Sequence, residues 1–244
     1  AHAYRAFRKA GGSTRQGWGD LRGEFFQNAF QVGTLYVDVA NDTVTPTKPK
    51  VEILPFAESA LIPIADFKHF KRIAERYWQA RIFPNHILPE LAPTCPLIHV
   101  SPEGKVQVAE ATGYMVAMAQ ASAFRASEEV LCDTPVPDDI FAHVRRHLAG
   151  TPWALPRSAE EGKAAALRAC REQRAKRWHL SPAQANAHLQ AVIALNHRLL
   201  HVLPSRRQQI IRLTTVDVGG AQPFASPVGS LSYGQRLDEE IVRL

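Results

Sequence analysis

Pro84, Pro89, Pro93 and Pro96 stand within one short span, and nothing else in the sequence restricts the fold so tightly. Each proline removes a backbone donor and biases the preceding residue away from helix. The density therefore predicts neither helix nor central strand there, but an extended, rigid crossing.

Before that crossing the chain reads as mixed. Ala1–Ala10 has the pattern of a short helix stopped by Gly11-Gly12. Trp18, Leu21, Phe25, Ala29 and Val32 recur at helical spacing, which predicts a helix ending at Gly33. Gly19 and Gly23 would weaken it by roughly 1 kcal/mol each, a cost that close approach of another backbone would explain. Thr34–Ala40 alternates Leu35 and Val37 with Tyr36 and Asp38, a half-buried strand, and Val51–Leu54 reads as its antiparallel partner. Asp66 is the expected cap of a helix that turns Phe67, Phe70, Ala74, Tyr77 and Trp78 inward.

After the crossing, Leu97–Val100 and Lys105–Ala109 flank Ser101-Pro102-Glu103-Gly104, the clearest hairpin signal in the chain. A helix is expected from Tyr114 to about Leu131. Asp133–Pro137 carries two prolines and reads as a boundary, with a mixed body over 1–132 and a mainly helical part over 138–244. Asp138 and Asp139 open a short helix that ends at Gly150. Ser158 and Glu161 form a capping box for a helix to about Trp178, and Ser181-Pro182 opens another to Leu203. A short connection between those two predicts an antiparallel helix pair. Thr214–Val218 is a candidate last strand, followed by a Gly/Pro/Ser loop and a short amphipathic end at Leu237–Leu244. The fold class expected is α+β.

No apolar stretch reaches the roughly 18 residues of a membrane span before a polar residue interrupts it. Cys95, Cys132 and Cys170 are sparse, odd in number and unpaired in spacing, which fits a reducing compartment rather than a disulfide framework. The sequence begins Ala1-His2-Ala3, without an initiator Met. With a pI near 9.4, this leads to the expectation of an organellar, mitochondrial protein, with the cytoplasm as the alternative.

Motifs that carry chemistry are few. His143/His147 and His197/His201 are spaced four apart, so each pair would share a helix face and reach one metal ion. Neither has the intervening Glu of H-E-x-x-H or an identifiable third ligand, so no metal or cofactor is expected. His86 and Glu90 enclose Pro89, which breaks the helix their spacing would need. Gly12–Gly17 has loop spacing for phosphate, but Trp18 stands where the lysine should be. Gly229–Gly234 lacks the spacing of a nucleophile elbow. Cys170 lies among Arg168, Arg171 and Arg174, which would lower a thiol pKa if the thiol were open to them.

Charge is the strongest remaining signal. Between Arg157 and Arg212 eleven Lys or Arg face only Glu160, Glu161 and Glu172, a local +8 that leaves the rest of this +6 chain at −2. Arg168, Arg171, Arg174 and Arg177 recur along one helix with Lys176 and Trp178 beside them; Arg206 and Arg207 follow later. These seven cations are the expected partner- or anion-binding residues. Candidate partners are other protein subunits, anionic lipid headgroups or RNA. Lys plus Arg is 29 of 244, low for a chain embedded in nucleic acid, where each phosphate contact needs its own cation. The expectation is therefore a non-catalytic accessory subunit of a larger mitochondrial, membrane-associated, energy-converting assembly of the ATP synthase or respiratory type, with RNA binding as the runner-up and a His-based metalloenzyme third.

Overall fold

The computed structural model describes residues 2–43, 45–108 and 112–199, and the fold it shows is α+β. It divides into two compact units, one ending at Ala80 and one beginning at Arg81. The Asp133–Pro137 segment expected as a boundary lies within the second unit, where Val136 is part of the core.

The first unit opens with helix α1 (His2–Lys9), which ends at Gly11 with φ +85°. The expected helix over Trp18–Val32 is instead a β-hairpin of β1 (Thr14–Leu21) and β2 (Phe25–Val32). Its turn explains the difference. Arg22 and Gly23 both have positive φ, the Glu24 N–H donates to the Leu21 carbonyl, and the Asp20 carboxylate accepts the Gly23 N–H at 2.7 Å. Such a turn matches the twist of two strands and excludes a continuing helix. Gly19 is required by close approach, as expected, but of a strand: a Cβ there would run into the Ile62 carbonyl.

Strands β3 (Leu35–Asp38), β4 (Glu52–Pro55) and β5 (Leu61–Ile62) complete an antiparallel sheet of order β4-β3-β2-β1-β5. The pairing of β3 with the returning β4 is as the sequence predicts. Helix α2 (Phe67–Tyr77) is capped by Asp66, whose side chain accepts the His69 N–H. It packs on one end of the sheet through an aromatic cluster centred on Phe26, which stacks on Trp18 at 5.0 Å and on Phe70 at 5.1 Å. Leu21, Ala29 and Tyr36 form a second small core on the opposite face.

The second unit is built around the proline-rich segment. Strands β6 (Arg81–Pro84), β7 (Leu97–Val100) and β8 (Val106–Val108) form an antiparallel sheet in that order, with the expected hairpin between β7 and β8. The chain from Asn85 to Pro96 is not an extended crossing. It winds through consecutive turns and, apart from Glu90, is buried. Proline makes this tolerable, because a residue without an N–H leaves one fewer donor to satisfy away from water. The carbonyls of the segment are met by side chains: Ser127 donates to Pro93, Gln173 to Glu90 and Asn85 to Cys95, at 2.7 to 2.9 Å.

Five helices surround this centre. The helix expected from Tyr114 to Leu131 is two, α3 (Thr112–Ala121) and α4 (Arg125–Leu131), broken where Ala123 and Phe124 take positive φ and Phe124 turns into the core. Then come α5 (Asp138–His147), α6 (Ala159–Ala175) and α7 (Pro182–Leu199). The predicted caps are present: Ser158 accepts the Glu161 N–H and Ser181 the Gln184 N–H. A 3-10 turn at Trp178–Leu180 joins α6 to α7; α6 packs chiefly on α4, and α7 on β8 and α5. Gly162 lets α6 rest on the backbone of His86, since any Cβ would overlap the His86 carbonyl oxygen. The candidate strand Thr214–Val218 and everything after Leu199 lie outside the described residues.

Candidate functional site

The groups best suited to chemistry are closed inside the units. Asp20 and His69 form a buried carboxylate–imidazole pair, Oδ2 to Nε2 2.8 Å. The other ring nitrogen, Nδ1, accepts the Ala65 N–H, and Asp20 Oδ1 accepts the Gly23 N–H. Each polar side-chain atom of the two residues is engaged, and the pair ties the hairpin turn to α2. Cys170 reverses its expectation: burial, reinforced by Glu128, pushes its thiol up to about 12 despite Arg171 and Arg174. Burial raises Cys95 to about 12 as well.

His143 and His147 stack at 5.0 Å on α5, and His147 Nδ1 is bonded to the His143 carbonyl at 2.9 Å. Among the described residues no group of three or more His, Cys, Asp or Glu is placed to hold a metal ion. His197 is exposed on α7; its expected companion His201 lies outside the described residues.

The basic stripe of α6 has two kinds of member. Arg174 turns inward and grips Glu128 of α4 with two bonds, 2.8 and 3.0 Å, and also donates to the Ala123 carbonyl. Arg171 lies 3.7 Å from the same carboxylate. Lys163, on the same helix, donates to the Cys132 and Asp133 carbonyls at the end of α4. Arg174 and Lys163 thus tie one helix to another. Arg168, Arg171 and Arg177 remain exposed, and exposed Lys176 sits over the Trp178 ring at 4.8 Å. Arg206 and Arg207 lie outside the described residues. Among those residues no helix is long and apolar enough to cross a membrane.

Two surfaces escaped the sequence reading. The first is an apolar sheet face. Register places Phe30, Val37 and Ile53 in one row across β2, β3 and β4, and Val32, Leu35 and Pro55 in the next row of the same face. Leu35 is 41% exposed and Ile53 60%, whereas Tyr36 and Asp38 on the opposite face are buried. The alternation in β3 was legible; which half goes inward was not, because Tyr36 and Asp38 are the more polar pair. Asp38 meets burial by accepting the Ala40 N–H at 2.8 Å, yet its carboxyl is held above the usual range, mainly by desolvation.

The second is a cleft of about 560 Å³ at the end of α5, lined by Arg145, Arg146, Arg157 and Trp153 over an apolar floor that includes Phe141 and Leu155. The adjacent Arg145-Arg146 pair, with Trp153 and Arg157 just beyond, was its only sequence signal. A neighbouring cleft of about 380 Å³ has the opposite character, with Glu90, Glu161 and Glu172 around Arg168.

The chain matches no protein-family model, no curated protein and no solved structure.

Proposed function

We propose that this chain is a non-catalytic accessory subunit of a larger assembly, seated against a neighbouring protein subunit through the bare face of β2, β3 and β4. The observation that carries the reading is the pair of in-register apolar rows, Phe30–Val37–Ile53 and Val32–Leu35–Pro55. Exposed apolar residues scattered singly need no explanation, but a contiguous set on three adjacent strands does. The six residues carry no charge, so this face offers nothing to phosphates or lipid headgroups and suits an apolar protein surface. Covering side chains as open as Ile53 and Leu35 contributes roughly 1 kcal/mol or more each. A mitochondrial energy-converting complex is the kind of assembly proposed, and exposed Arg168, Arg171 and Arg177 are a separate polar, acid-seeking surface of the second unit.

The test is native purification of the tagged full chain, compared with a Phe30→Ser/Ile53→Lys double variant. Wild type should bring down defined subunits that the variant loses, while both melt at similar temperatures because neither side chain is in the core. A stable wild-type monomer without companions, or a variant that keeps them all, overturns the reading.

A further inference from the structure

We infer that the cleft at the end of α5 binds a nucleoside phosphate, its phosphates on Arg145, Arg146 and Arg157 and its planar base against Trp153. The inference stands independently of the sheet face, because it concerns the second unit alone.

Three arginines line it, contributed by two separate places in the chain. Arg145 and Arg146 occupy the last turn of α5, and Arg157 lies beyond the connecting segment, just before the cap of α6. None of the three guanidiniums forms an ion pair with a described residue, and no acid lines the cleft. Glu161 Oε2 accepts the Arg157 backbone N–H at 2.8 Å. Glu161 lines the neighbouring cleft, with Glu90 and Glu172.

A blander reading is that Arg145 and Arg146 complement the carbonyl end of α5, where cations are favourable. That reading accounts for two arginines. It does not account for Arg157, which belongs to no part of that helix, or for the ring of Trp153 at the same opening. Trp153 and Leu155 are half-buried and pack on the core, so this wall is anchored rather than free to swing.

Charge and volume select the ligand. Three guanidiniums would be poorly matched by a single carboxylate, whereas a di- or triphosphate supplies several charges and oxygens in the geometry a guanidinium fork grips. A volume of about 560 Å³ lies in the range of small-molecule and cofactor sites. The apolar floor gives a heteroaromatic base a place to stack, as bases do on exposed aromatic side chains.

The experiment is a fluorescence titration of the full chain with ADP, with pyrophosphate and adenosine as half-probes and a short poly-glutamate peptide as an anionic control. The expected result is quenching by ADP that disappears in Trp153→Phe, which isolates this ring from the other three tryptophans. ADP should bind at least tenfold more tightly than either half-probe and more tightly than the peptide. Arg145→Gln/Arg146→Gln and, separately, Arg157→Gln should each weaken ADP by at least tenfold; the three side chains are exposed, so circular dichroism should be unchanged. Absence of ADP binding, equal binding by the arginine variants, pyrophosphate binding as tight as ADP, or preference for the peptide would each overturn the assignment.

Discussion

Asn196 of α7 closes the outer edge of β8 through one residue, Val108: its Oδ1 accepts the Val108 N–H at 2.8 Å and its Nδ2 donates to the Val108 carbonyl at 3.0 Å. Val108 stands opposite Ile98 in the ladder, but its backbone groups point away from β7. A side-chain amide thus replaces the missing fourth strand at a residue that is 1% exposed. Asn196→Ala should cost about 1–3 kcal/mol, because two buried backbone groups lose their partners together. Asn196→Asp should cost at least as much, since it keeps the acceptor and brings a second acceptor to the Val108 carbonyl. Equilibrium denaturation of the two variants checks both; unchanged stability would mean water replaces the amide.

Glycine-to-alanine exchange inside a helix ordinarily stabilises by roughly 0.5–1 kcal/mol. Gly113 in α3 has nothing within 4 Å of a Cβ position, so Gly113→Ala should follow that rule. Gly162 in α6 should reverse it. A Cβ there would overlap the carbonyl of His86, a rigid, buried obstacle, and relieving it must lift α6 from the proline-rich centre. Overpacking of this kind costs about 1–3 kcal/mol. Thermal melts of the two variants should move in opposite directions.

These two residues also show what the sequence could and could not say. The caps at Asp66, Ser158 and Ser181, the Ser101–Gly104 hairpin and the β3–β4 pair depend on neighbours in sequence, and they are where the sequence places them. The errors come from contacts made across long separations. The spacing of Trp18, Leu21 and Phe25 fits a helix, but the pairing of Asp20 and Leu21 with β5 and the close approach of Ile62 to Gly19 decide for strands. The proline density predicts an extended, rigid crossing, because the side chains that satisfy the Pro93 and Glu90 carbonyls, Ser127 and Gln173, lie 34 and 83 residues away. Among the expected binding cations, Arg174 was legible as a charge but not as the partner of Glu128. The arginine cleft stayed hidden because Arg157 lines the same opening as Arg145 and Arg146 only once the segment between α5 and α6 is in place.

Thiol reactivity should separate the cysteines cleanly. Cys132 is exposed, whereas Cys95 and Cys170 are buried with their thiols pushed up to about 12. A thiolate is the reacting form, so at pH 8 a disulfide reagent should titrate one cysteine quickly in the native chain and three after denaturation. Cys132→Ser should abolish the fast phase. Rapid reaction at Cys170 in native protein would restore the idea that its arginines activate it.

Acid should loosen the second unit, and two imidazoles set the sign. Burial lowers the pKa of both His86 and His188 below the usual histidine value. His86 is bonded through Nε2 to the Leu131 carbonyl, and His188 through its two nitrogens to Thr94 and Gln184. Both are therefore neutral in the folded chain near pH 7, whereas the unfolded chain binds a proton at each below about pH 6.5. Because the folded pKa is the lower one, the stability from these sites is complete above pH 6.5 and is lost as pH falls toward the folded values. The slope is at most about 1.4 kcal/mol per pH unit for each imidazole. Denaturation series from pH 7.5 to 5.0 should show this decline, and His86→Gln and His188→Gln should each flatten it even where they lower stability overall. A decline of equal steepness in both variants would place the acid-sensitive groups elsewhere.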